Sequence, residues 1–65
     1  MHNNWELTDR EFEVLKLLTK GMNNNEISQI LFVELCTVKA HITSILKKLQ
    51  VKTRLQAVIK AFNEG

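Results

Sequence analysis

Lys39, Ala40, Thr43 and Lys47 are the residues of this chain whose types and spacing suggest chemistry at a surface. At about 100° per residue they share one arc of a helix, while Val38, Ile42, Ile45 and Leu49 fall on a narrow arc away from it. The outer arc carries two ammonium groups, a methyl and a hydroxyl, with little bulk. Its N-terminal half is lean enough to enter a groove about 12 Å wide, the width of the major groove of duplex DNA. Residues 35–63 contain no Asp or Glu, so that stretch has no charge to repel phosphate. An ordinary helical core with a solvated lysine face would carry the same residues. On spacing alone both readings stay open.

The charge distribution extends the hint. Residues 1–34 hold six acidic side chains against three basic ones, and residues 35–65 hold six basic against Glu64 alone. A net charge of +2 is too small to argue from, but its segregation fits a basic surface facing a polyanion.

Those residues need a scaffold, and 65 residues permit one domain. Cys36 is the single cysteine, which excludes an internal disulfide and a multi-cysteine zinc site. Hydrophobic residues make up 45% and charged residues 25%, a balance that folds rather than one that stays disordered. No proline and only two glycines, Gly21 and Gly65, favour helices over a strand meander. The apolar runs are too short to span a membrane. Met1-His2-Asn3-Asn4 lacks an apolar leader, and with one unpaired thiol a cytoplasmic location is expected.

Local signals predict four helices, near residues 8–20, 23–31, 35–49 and 53–62, in one compact all-α domain over 1–65. Thr8-Asp9-Arg10-Glu11 fits a capping box, with Leu7 and Phe12 placed as a hydrophobic staple. Gly21 after Lys20 marks the end of the first helix. Asn23 caps the second, with Glu26 three residues on. Phe32-Val33-Glu34 reads as a tight turn, and Thr53 caps the last helix. Helices two and three joined by that turn make a helix-turn-helix.

The chain resembles the LuxR/NarL/FixJ-type helix-turn-helix domain, the C-terminal DNA-binding output module of many bacterial response regulators. The segments that carry the resemblance are Leu7-Thr8-x-Arg10-Glu11-x-Glu13-Val14-Leu15, Gly21-x-x-Asn24-x-Glu26-Ile27, Leu31-Phe32-Val33, Thr37-Val38-Lys39-x-His41, Ile45-Leu46-x-Lys48-Leu49 and Arg54-x-Gln56-Ala57-Val58. They stand in order and cover residues 7–62. The resemblance implies sequence-specific binding of double-stranded DNA for transcription regulation, with helix three in the major groove. It implies base contacts from Lys39, Ala40 and Thr43. It implies phosphate contacts from Asn24, Asn25, Thr37, Lys47 and Lys52. It implies a homodimer on DNA through Leu55, Ile59 and Phe62 of the last helix. The chemistry is compatible: helix N-termini offer free N–H groups to phosphate, lysine donates to guanine O6 and N7, and threonine or alanine methyls meet the thymine methyl.

One stretch departs from the pattern. Glu34-Leu35-Cys36 stands where such domains usually have a serine cap followed by polar or basic residues. Glu34 is a poor cap and would face phosphate, and Asn25 stands where lysine is common. The same stretch suits an alternative function, a protein–protein adaptor contacting RNA polymerase or another regulator. His41, lying at the edge of the buried arc, reads as a structural histidine rather than a metal ligand, Cys36 as an incidental small residue and Trp5 as packing on the domain edge. There is no carboxylate pair, nucleophile–base set or phosphate-cradling loop, so no enzyme is expected. No cofactor, metal, membrane or small-molecule substrate is expected either.

Overall fold

The computed structural model describes residues 4–64; Met1-His2-Asn3, with the leader reading that rests on them, and Gly65 lie outside the described residues. The described chain forms four α-helices and no strand: α1 (Asp9–Thr19), α2 (Asn24–Leu31), α3 (Leu35–Leu49) and α4 (Arg54–Glu64).

Capping chemistry sets the starts. Thr8 and Glu11 close a reciprocal box, with Glu11 N–H donating to Thr8 Oγ1 at 3.1 Å and Thr8 N–H donating to Glu11 Oε1 at 2.9 Å. Asn23 and Glu26 repeat it at 2.8 and 2.9 Å. Before α4, Gln56 N–H donates to Thr53 Oγ1 at 3.1 Å, while Gln56 Oε1 accepts from the Lys52 and Thr53 amides. Glu34 precedes α3 in an extended conformation and makes no side-chain cap.

The ends are set by left-handed residues. Gly21 closes the first helical segment at φ 82°. The turn at Phe32-Val33-Glu34 is built without glycine: Phe32 itself takes the left-handed conformation, φ 56°, and its amide donates to Ser28 O. Gln50 does the same after α3, at φ 59°. The last helix runs to Glu64, two residues past the expected end at Phe62, because no breaker intervenes; Lys60 and Glu64 pair along its final turn at 3.7 Å.

α3 is the central element and packs against α1, α2 and α4. Val38, Ile42, Ile45 and Leu49 form its buried side, against Val14, Leu15 and Leu18 of α1, Ile27 of α2, and Ala57 and Ala61 of α4. Trp5 and Phe12 lie half-buried against this core. The short turn swings the chain through 108° between α2 and α3. That falls in the range of about 90–120° that defines a helix-turn-helix.

Candidate nucleic-acid interface

With its inner stripe buried, α3 presents Lys39, Ala40, Thr43 and Lys47 to solvent, all exposed. The Thr43 hydroxyl donates back to Lys39 O at 3.0 Å. Its proton is therefore committed to the backbone, and the side chain offers its methyl and an acceptor oxygen outward.

Lys39 faces a second element. A shallow depression of about 400 Å³ lies between the start of α2 and the start of α3, lined by Asn23, Asn24, Asn25, Leu35, Lys39 and Arg54. Asn24 and Asn25 open α2, where amides lack intrahelical acceptors. The depression has two cationic side chains and no acidic one on its lining. It brings together Asn24, Asn25 and Lys39. Thr37 is half-buried on another flank of α3, Lys47 is exposed further along the helix, and Lys52 is exposed in the loop before α4. Leu55, Ile59 and Phe62 are 66%, 50% and 69% exposed on the outer side of α4. Cys36 is a free, exposed thiol at the start of α3, and His41 is half-buried.

The orientation of α3 rests on a polar clasp. Glu11 is 5% exposed and reaches from its capping box to α3. Ser44 Oγ donates to its Oε2 at 2.5 Å and Lys48 Nζ to its Oε1 at 2.7 Å; Lys48 also donates to Glu6 O at 3.3 Å. Burial by itself raises the Glu11 pKa. The hydrogen bonds from Lys48, Ser44 and the Thr8 amide outweigh it and hold the carboxyl at about 2. The carboxylate is thus ionised and fully engaged at neutral pH.

A second tie joins α4 to the start of α2. Arg54 Nη1 donates to Asn24 Oδ1 at 2.7 Å and Arg54 Nη2 to Met22 O at 3.3 Å. In the sequence Arg54 stands within a motif and carries no contact role, since its partners lie about thirty residues away. Ser44 and Lys48 were likewise illegible as partners of Glu11.

A four-helix domain whose second and third helices meet at 108°, with an acid-free outer face on the third, defines the helix-turn-helix class of regulatory domain. The chain belongs to the family of bacterial regulatory proteins of the luxR type, whose pattern it matches over residues 6–61. It is similar to the response regulator protein VraR of Staphylococcus aureus, Staphylococcus saprophyticus and Staphylococcus epidermidis, each 50% identical over 59 residues. The match covers 91% of this chain and 28% of each relative's length. Among the described residues no single helix is long and apolar enough to cross a membrane.

Proposed function

We propose that this chain is a sequence-specific double-stranded DNA-binding domain that regulates transcription as the output part of a response regulator. The observation that carries the reading is the pairing of the lean, basic face of α3 with the cationic depression at the start of α2. α3 lies in the major groove, where Lys39, Ala40 and Thr43 meet base edges. Asn24, Asn25, Thr37, Lys47 and Lys52 hold the phosphate backbone on either side. Leu55, Ile59 and Phe62 pair two copies on a dyad-symmetric site. The outer face of α4 is small against the ~1,200 Å² of a stable interface, so the domain is monomeric in dilute solution and pairs on DNA. Family membership and the similarity to response regulator proteins support the regulatory role.

The experiment is selection of duplexes from a random pool with the purified chain, followed by a salt titration of the best site. Enrichment of one motif, with affinity falling linearly on a log–log salt plot, is the expected result. A second reading, a protein–protein adaptor contacting RNA polymerase or another regulator, is favoured by the apolar exposure at the turn, where Phe32 is 94% and Leu35 37% exposed. It gives no enriched duplex, and an apolar contact with the partner is insensitive to salt.

A further inference from the structure

Arg54 is absent from the set of phosphate and base contacts above, yet among the described residues it makes the only side-chain hydrogen bonds between the start of α4 and the start of α2. Its guanidinium is a fork of donors with no acceptor. One arm donates to Met22 O in the loop before α2, and the other to Asn24 Oδ1 in the helix's first turn.

We propose that Arg54 is a positioning residue for DNA binding: it fixes the Asn24 amide so that its N–H donors, not its carbonyl oxygen, are presented to a DNA phosphate. The proposal rests on the DNA-binding reading and deepens it. A guanidinium can meet only the oxygen end of a carboxamide, so Nδ2 must stand on the other side. Among the described residues Nδ2 has no partner. Asn24 lines the depression it shares with Asn25 and Lys39, so two N–H donors stand at a surface already cationic and free of acids. Without the arginine, the amide rotates freely, and half of its orientations turn an acceptor oxygen toward an anion that needs a donor. The Met22 arm fixes the guanidinium itself, because a planar fork held through two nitrogens cannot swing as an ammonium, with all its donors on one nitrogen, can.

A double-mutant cycle on DNA affinity tests this. The unaltered chain, Asn24→Ala, Arg54→Ala and the double variant are titrated against the best selected duplex and against a random-sequence duplex. Circular dichroism and thermal melts confirm that each is folded. Arg54→Ala in the unaltered background should weaken binding about 10-fold, combining a charge-assisted phosphate bond with one lost charge. In the Asn24→Ala background the same change should cost only about 2- to 3-fold, the share left to general charge. Both duplexes should respond alike, because a phosphate contact carries no sequence information. Asn24→Asp is the second arm: it keeps an oxygen for Arg54 and removes the donors, so melting temperature should hold or rise while affinity falls more than 10-fold. The added carboxylate also repels phosphate, so Asn24→Ala, which adds no charge, sets the share of the fall that belongs to the lost donors. Equal losses on Arg54→Ala in both backgrounds, or undiminished affinity of Asn24→Asp, overturns the positioning role and leaves the DNA-binding reading standing. Failure of the unaltered chain to bind any duplex at low salt overturns both.

Discussion

Lys48 Nζ lies 2.7 Å from Glu11 Oε1, and this pair fastens the start of α1 to the last turns of α3. Glu11 also caps α1 through Thr8 and accepts from Ser44, so one carboxylate serves three elements of order. Its pKa is depressed from 4.5 to about 2 by these bonds. A depressed carboxyl contributes stability that is present above its unfolded pKa and lost as pH falls through the folded one. Urea midpoints should therefore be flat on this account above pH 5 and fall between about 4.5 and 2. Glu11→Gln should lower stability by about 2 kcal/mol at pH 7 and flatten that acid limb. An unchanged acid limb in the variant would assign the loss to other groups.

Base reading is tested at Lys39. Lys39→Ala should cost ~1–3 kcal/mol on the best duplex and relax preference at one base pair. Lys52→Ala should weaken all duplexes alike. Competition against random DNA separates them: an equal loss on both duplexes for Lys39→Ala removes it from base reading.

Glu34 enters α3 with no side-chain cap bond. Glu34→Ser supplies one, which should raise stability by ~0.5–2 kcal/mol. The substitution also removes a negative charge beside the proposed DNA face, so affinity at low salt should rise. Thermal melts read the first effect and duplex titration the second. Unchanged affinity would show that Glu34 points away from the phosphates.

Phe32 holds a left-handed conformation with 94% of its surface exposed. A side chain with a Cβ is strained there by roughly 1 kcal/mol, and almost no burial is lost by removing it. Phe32→Gly should raise the melting temperature by a few degrees, in line with about 0.5–1 kcal/mol in a domain of this size. A lowered melting temperature would mean that the ring makes contacts that stabilise the fold.

Pairing is tested on α4. Ile59→Glu places a charge on its outer face, where Ile59 is half exposed. Helicity and half-site affinity should be retained, while cooperative occupancy of a two-half-site duplex is lost. Retained cooperativity at unchanged helicity excludes α4 as the contact.

Four helices, their caps and their inner stripes were legible along the chain because those signals are local. Thr8 with Glu11 and Asn23 with Glu26 are three residues apart, and Val38, Ile42, Ile45 and Leu49 repeat at the helical period. The exposed Lys39, Ala40 and Thr43 followed from that period, since burying one side of a helix fixes what the other side shows. The turn was legible as a turn, but not the left-handed Phe32 that builds it, because propensity disfavours a large side chain there and the packing of α2 on α3 overrides it. The tertiary structure alone decided which distant groups meet. Glu11 reads in the sequence as a cap, and only the approach of α1 to α3 makes it the acceptor for Ser44 and Lys48. Arg54 reads as the first residue of a helix, and only the packing of the bundle sets it against Asn24, thirty residues earlier. Caps and stripes are encoded within a turn or two of chain, whereas a clasp between helices depends on where the whole core puts them.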